Sequence, residues 1–560
     1  MRNCEFSLNN DGHPYERGGR RRIIELMNKQ KTQVDYTPFC ANNQMCLPVE
    51  TSVLIPQDEP VLLLNAIIEG MDLSKLNQAY SRRGRIEYSP KILLKILVYA
   101  YMQGIFSSHE IAAVCKVNIC FMYLLEDMPS PSASTICRFR RKLGEETGND
   151  LIVQLARRLE SAGLLSFEHV FIDGTKVEAN ANKYTFVWRK TVEKNAAKLQ
   201  KRIQKELSGI LRNEHIRYSV PKEVHSNNLQ SVLKKLYAKK EEQDIEFVYG
   251  KGQRKTPLQR EIETVEEWHR RALNYEVAHE TFAGRNSYSK TDPDATFMHM
   301  KEDHMRNGQL KPAYNVQIAV NSEYITGLEV FSDRTDVGTL VPFLTRMQKM
   351  QQAKYKEVTA DAGYESLENY LFLEQNGQMS FIKPTNYEAK KTTKFKKKIG
   401  RIENMQYDAG EDCFTCAEGR KLPLRRECTE LKNGHFVTTA HYRCENCKDC
   451  PSRNACCQAK DPEQPKTLVL HKTFWEKRAV SLESITSERG IYLRMCRSIQ
   501  VEGAFALLKT DFGFRRFLTR GKANVRTEFF FLSMAFNLKK LWMKRENGRL
   551  KTHLSEIRVA

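Results

Sequence analysis

The stretch HVFIDGTKVEA, residues 169–179, sets the fold class. Three β-formers in a row, Val170, Phe171 and Ile172, are cut off by an acidic residue and a glycine, Asp173 and Gly174. A short apolar run bounded by turn residues predicts a buried strand, with Asp173 at its end. The same pattern returns in EVTADAGY, residues 357–364, where the run closes on Asp361 and Gly363. Between them, AYNVQIAVNSEYITGLEVFS (313–332) alternates as a hairpin, GTLVPFLTRMQKMQQ (338–352) has helical spacing, and SLENYLFLEQNG (366–377) is a helix closed by Gly377. MSFIKP (379–384) is a further strand. Strand, long insert, two strands, helix, strand, helix, strand is a mixed α/β layout.

Upstream, residues 46–150 read as short helices in series. LLLNAIIEGMDLSKL (62–76) and SPKILLKILVYAYMQG (89–104) carry apolar residues at i, i+3, i+4. SSHEIAAVCKVNICFMYLL (107–125) and SPSASTICRFRRKL (130–143) follow, the last ending on Arg138, Arg140 and Arg141. Such a series with a basic end fits a helical DNA-binding domain. Residues 1–45 form a polar arm with Arg20, Arg21 and Arg22, and 546–560 a tail.

After Trp188 the chain is rich in Lys, Glu and Gln. TVEKNAAKLQKRIQKELSGIL (191–211) and PLQREIETVEEWHRRALNYEV (257–277) predict a charged helical hairpin, inserted at about 189–285. A basic run, AKKTTKFKKKIGR (389–401), opens a second insert at about 395–485. From Arg489 the pattern is helical again.

The 560 residues hold 89 Lys and Arg against 68 Asp and Glu, a net charge of +21, which favours a polyanionic partner. No window approaches the ~18 consecutive apolar residues of a membrane span. The run Ile92–Tyr101 is interrupted by Lys95. The N-terminus lacks the apolar segment of a signal peptide, so the fifteen cysteines are expected in a reducing cytoplasm. There, clustered thiols point to metal. Cys413-x2-Cys416 and Cys444-x2-Cys447, with Cys450 and Cys456 as alternates, have the spacing of a structural zinc site in a β-rich insert lacking its own core.

Asp173, Asp361 and Glu502 are the candidate chemical centre. One aspartate before a glycine is most often a turn or cap residue. Three carboxylates brought together repel unless a hard cation such as Mg²⁺ or Mn²⁺ neutralises them. Two such ions about 3.5–4 Å apart can activate a water or 3′-hydroxyl and stabilise the leaving oxygen of a phosphodiester. Arg515, Arg516, Arg520, Lys522 and Arg526 make a basic comb past Glu502 that suits DNA backbone. Tyr184, Phe186 and Trp188 could stack on a base, core packing being the alternative for at least two of them.

VFIDGTKVEANANKYTFVWRK, VTADAGYES and RSIQVEGAFALLK…FGFRRFLTRGKANVRTE resemble the three acidic motifs of bacterial insertion-sequence transposases of the DDE type. The segment from Tyr88 to Leu143 resembles their N-terminal helical domain, and PAYNVQIAVNSEYITG the strand pair before the second aspartate. The resemblance implies a ribonuclease-H-like catalytic core over 165–545, divalent metal on Asp173, Asp361 and Glu502, and cutting and joining of transposon ends. It also implies an Arg four residues before the Glu and a Lys seven after it, both near DNA. Lys509 matches. Ser498 stands at the Arg position, with Arg497 one residue earlier, and Met495 replaces an expected Tyr. On a helix Arg497 would point ~140° away from Glu502. The expectation is a DNA transposase acting on terminal inverted repeats and target DNA as a homodimer or higher oligomer, in the bacterial cytoplasm on the nucleoid. The alternatives are an inactive or domesticated DNA-binding relative, and a nuclease that never joins strands.

Overall fold

The computed structural model describes residues 51–551 except 81–87, 127, 251, 301–307, 433, 458, 460 and 462. The arm 1–45 and most of the tail lie outside the described residues.

The chain opens with helices α1 (Pro60–Glu69), α2 (Pro90–Met102), α3 (Ser108–Val114), α4 (Ile119–Leu125) and α5 (Ala133–Ser161). Helix α2 starts on a proline, whose fixed φ suits the first turn. It is apolar on every side, so it is the helix the others surround. Of its two lysines, Lys95 is fully buried and tolerated because Glu69 and Glu126 both pair with it. Helix α5 bends at Gly144, which sits at φ 66°.

Strand β1 (His169–Glu178) begins the main sheet. The first insert leaves through β2 (Phe186–Trp188) and returns through β3 (Ser287–Ser289), which pair antiparallel and close its foot. Between them stand α6 (Arg189–Asn213), α7 (Ser226–Glu242) and α8 (Pro257–Phe282). These make a three-helix unit rather than the expected hairpin, with a core of Leu199, Ile203, Leu229, Leu236, Ile262 and Trp268. The third helix comes from SNNLQSVLKKLYAKKEE, where Leu229, Val232, Leu233 and Leu236 form a narrow apolar stripe among lysines.

Strands β4 (Thr296–His299), β5 (Leu310–Asn321) and β6 (Tyr324–Phe331) follow, then α9 (Leu340–Gln351), β7 (Glu357–Ala360), α10 (Leu367–Gln375) and β8 (Met379–Ile382). The sheet order is β4-β5-β1-β7-β8, with β6 also on β5. β5 and β6 run antiparallel, while β1, β7 and β8 are parallel. Alternation along β1 splits its side chains: Val170 and Ile172 meet α9 and α10, and Phe171 faces the other layer. Gly327 lets α9 approach, since a Cβ there would meet Met347 at 2.7 Å.

The second insert is an antiparallel sheet of β9 (Gln406–Asp408), β10 (Cys413–Thr415), β11 (Lys421–Lys432), β12 (His435–Arg443) and β13 (Thr467–His471). It does have a core, contrary to expectation: Phe414, Leu422, Ala440, Tyr442, Leu468 and Leu470. Helix α11 (Lys472–Thr486) then returns to the main sheet, and its Trp475 stacks on Phe414 with ring centroids 5.5 Å apart. Helices α12 (Glu488–Ala506) and α13 (Lys522–Glu546) complete the fold. α13 packs on α2, α5 and β6, so the N-terminal helices share one continuous core with the sheet instead of standing apart. Among the described residues no single helix is long and apolar enough to cross a membrane.

Candidate active site

Strand β1 does not stop at Asp173 as expected, because β5 continues to pair with it as far as Glu178. What ends there is the pairing with β7, whose last register is Ile172 beside Ala360. One residue later each chain carries an aspartate. Neighbouring strands lie about 4.8 Å apart, so Asp173 and Asp361 are side by side at the mouth of the parallel pair. Asp361 then caps a short turn, its Oδ1 accepting from the Gly363 amide at 2.8 Å.

Helix α12 covers this mouth. Ser487 caps it by accepting from the Gly490 amide at 3.0 Å, and Gly490 lies tight on the end of α11, where a Cβ would collide with Ser484. The helix therefore starts nine residues before Arg497 and runs unbroken past Glu502. Arg497 donates to Asp173 Oδ2 at 2.9 Å, and both side chains are mostly buried. Asp361, Lys383, Met495, Arg497 and Ser498 line a cleft of roughly 310 Å³. Glu502 stays exposed and is joined to the cleft wall through Ser498, whose hydroxyl donates to it at 3.0 Å. The structure thus brings the two aspartates and Arg497 together and leaves Glu502 one turn away along the helix. A π-turn, Leu507–Asp511, carries the half-buried Lys509 beyond it.

Sequence reasoning missed a third aspartate. Asp336 follows β6 and turns its carboxylate inward, where Asn315 Nδ2 and Gln317 Nε2 donate to Oδ1 at 2.7 and 2.9 Å. Tyr364 donates to Gln317 from below. Burial pushes the Tyr364 phenol well above its ordinary range, and the charges of Asp336, Asp173 and Asp361 push it the same way. The signal was present: Asp336-Val337-Gly338 has the same spacing as Asp361-Ala362-Gly363.

The basic comb is only partly free. Arg515 is exposed and has no ion pair or hydrogen bond among the described residues. Arg516 donates to the carbonyls of Ala179 and Ala181 at 3.1 and 3.2 Å, and Arg520 to that of Asn180 at 2.8 Å. Both tie the segment to the end of β1. The Lys522 ammonium lies over Phe331. Arg526 does not belong to a DNA surface: it is buried, paired with Glu329 at 3.1 Å. On α5, Arg138 and Arg141 are exposed, but Arg140 is buried, donating to the Phe106 carbonyl and lying over Tyr101. Tyr184 is exposed, while Phe186 and Trp188 pack with Phe297.

In the second insert Cys416, Cys444, Cys447 and Cys456 share one small core. Burial, with Cys447 alongside, pushes the Cys444 thiol up to about 12. Burial also raises Cys456, with Cys416, Cys447 and Cys457 around it. Cys413, an expected ligand, faces elsewhere: its Sγ contacts Glu411 at 3.7 Å. The described cysteines are all free thiols.

Among the described residues no three Asp, Glu, His or Cys side chains stand in a metal-holding arrangement. The aspartate site still suits a hard cation by its chemistry. Asp173 and Asp361 are side by side there, Arg497 is paired with Asp173, and carboxylate oxygen is the donor that Mg²⁺ or Mn²⁺ prefers. Asp173 would have to turn from Arg497, and Glu502 from Ser498, to hold one.

Two family models match the chain: a transposase domain (DUF772) over residues 49–142 and a transposase DDE domain over 415–542. The first covers the N-terminal helices, and the second covers Glu502 and most of the cysteine-bearing sheet. No curated protein and no solved structure matches it. Both matched models describe transposase domains, which supports an insertion-sequence transposase of the DDE type, and transposases act on DNA.

Proposed function

We propose that this transposase cuts the ends of its element and joins them to target DNA at the Asp173–Asp361 mouth. The observation that carries this reading is the pair of aspartates on adjacent parallel strands, closed over by a helix bearing Arg497 and Glu502. A ribonuclease-H-like core is supported by the mixed six-stranded sheet around β1, with helices on both faces. Asp173, Asp361 and Glu502 would hold Mg²⁺ or Mn²⁺. Such ions supply charge neutralisation and a more acidic water or hydroxyl at the scissile phosphate. The chain's own contribution is alignment. Arg497 holds Asp173 until DNA arrives, Lys509 and Arg515 offer backbone contacts beside α12, and Arg138 and Arg141 offer them on α5.

In the second insert we propose a structural zinc ion on Cys416, Cys444 and Cys447, with Cys450 or Cys456 as the fourth thiolate. A homodimer or higher oligomer would pair the two ends, on the nucleoid of a bacterial cytoplasm.

The test is strand cleavage of DNA carrying the inverted repeats that flank the coding sequence. Asp173→Ala, Asp361→Ala and Glu502→Ala should each abolish cleavage in Mg²⁺ while leaving end binding intact. Full cleavage by the Glu502 variant would remove that residue from the mechanism.

A further inference from the structure

A second cleft, of roughly 510 Å³, opens where the N-terminal helices meet the C-terminal segment, away from both the aspartate mouth and the thiol core. His109 of α3 and Arg140 and Arg141 of α5 line one side. Asn180, just past β1, Arg520, and Glu528 of α13 line the other. Among the described residues that line it, Glu528 is the one acid, and its oxygens are already occupied. The amides of Leu518 and Thr519 donate to it at 2.9 and 3.0 Å, and the Thr519 hydroxyl at 2.6 Å. These bonds hold the loop before α13 in place as a wall of the cleft.

The cations are not matched in the same way. Arg140 is only 7% exposed, yet among the described residues no carboxylate forms an ion pair with it. Its guanidinium donates to the Phe106 carbonyl and lies over Tyr101, while its enclosed Nε has no hydrogen-bond partner. A buried charge held by a neutral carbonyl and a ring, with a donor unmet, carries a penalty that a nearby anion would relieve. Arg520 spends Nε on the Asn180 carbonyl at 2.8 Å, and its terminal N–H donors have no partner among the described residues. Arg141 and His109 are exposed, and no described carboxylate pairs with either. A cleft walled by one sign of charge concentrates the opposite sign. No aromatic ring lines it among the described residues, so it offers no platform on which a base would stack. Guanidinium groups facing each other across a gap suit phosphate oxygens.

We propose that this cleft seats the sugar–phosphate backbone of one DNA strand, gripped by Arg140 and Arg141 from the helical unit and by Arg520 from the segment before α13. The inference rests on the reading of the chain as a transposase that acts on DNA, and it gives the arginines of the two units a shared task. It also sets where the strand runs. Asn180 lies 180 − 173 = 7 residues past Asp173, at most about 25 Å along an extended chain. With a rise of about 3.4 Å per nucleotide, the gripped phosphates fall within roughly seven nucleotides of the cut.

Cys137 supplies a readout that needs no substitution. It is exposed at the cleft, its thiol donating to Ser108 Oγ at 3.2 Å. Alkylation of the full-length chain by iodoacetamide is followed at this residue by peptide mass spectrometry. A duplex carrying the flanking inverted repeat, at about ten times its Kd, should slow alkylation of Cys137 about tenfold. A duplex of scrambled sequence at the same saturation should do likewise, because phosphates carry no sequence. Inorganic phosphate in excess should leave Cys137 reactive. Arg141→Ala with Arg520→Ala should weaken both duplexes by about tenfold or more and reduce the salt dependence by about two counterions. Undiminished alkylation of Cys137 in the saturated parent complex would overturn the inference and leave DNA binding elsewhere intact, whether or not the double variant folds. Equal protection by inorganic phosphate would show a site for a free anion and overturn it as well. Failure of the parent to bind either duplex would remove the DNA reading and the inference together.

Discussion

At the mouth of β1 and β7 the gathered donors are carboxylate oxygens, whereas in the β9–β13 sheet they are thiols. The oxygens lie at a cleft with an arginine among them. The thiols lie inside a core, and burial pushes those of Cys444 and Cys456 up. Hard and exchangeable against soft and enclosed is the difference between a cation that does chemistry and one that holds a fold. It teaches that the two sites should respond oppositely to loss of their donors: the first in rate, the second in stability.

The largest effect is expected at the oxygen site. Asp173→Asn or Asp361→Asn should lower end cleavage by about a thousandfold or more, above ~4 kcal/mol of barrier, without a fall in melting temperature. A drop in stability as large as the drop in rate would make these residues structural and erase the contrast. Next comes the thiol site. Cys444→Ser with Cys447→Ser should leave the main sheet folded and open residues 405–471 to proteolysis. The parent should keep about one zinc ion per chain through dialysis, and the variant none.

A smaller effect is expected where the two regions join. Arg478 on α11 donates to both oxygens of Glu365 at 2.6 and 2.8 Å. Burial alone would raise the Glu365 carboxyl, but Arg478 and Thr385 hold it below its ordinary 4.5. A depressed folded value means that this stabilisation is complete above the unfolded value and is lost as pH falls through the folded one. Thermal melts should therefore show the α11 anchorage weakening below about pH 4.5. Arg478→Met should cost about 2–3 kcal/mol at neutral pH and remove that acid sensitivity. The smallest effect is at Arg515, whose loss to alanine should weaken DNA binding uniformly and reduce the salt dependence by about one counterion.

Much of the sheet was legible because β-formers cut off by Asp-Gly or Asp-Ala-Gly announce strand and turn at once. Helix ends were legible for the same local reason: Ser366 and Gly377 act on neighbours a few residues away. Pairing was not legible. Asp173 looked like a strand end because Gly174 breaks the apolar run, yet β5 keeps that segment extended as far as Glu178, whose partner Ala313 lies 135 residues downstream. The fate of the arginines was equally hidden. Arg515 and Arg526 look alike in sequence, but only a residue as distant as Glu329 decides that Arg526 is buried. Arg497 shows the limit of helical-wheel reasoning. The wheel points it away from Glu502 and leaves its role open, although Asp173, not Glu502, is its partner. Asp336 escaped because its motif follows a loop and not an apolar run.

The most direct test of the oxygen site is a change of donor atom. Asp361→Cys replaces a hard oxygen with a softer sulfur, which Mn²⁺ tolerates better than Mg²⁺ does. In single-turnover cleavage of end DNA this variant should be inactive with Mg²⁺ and recover with Mn²⁺, while the parent cuts with both. Equal activity of the cysteine variant in the two ions would show that residue 361 does not touch the metal.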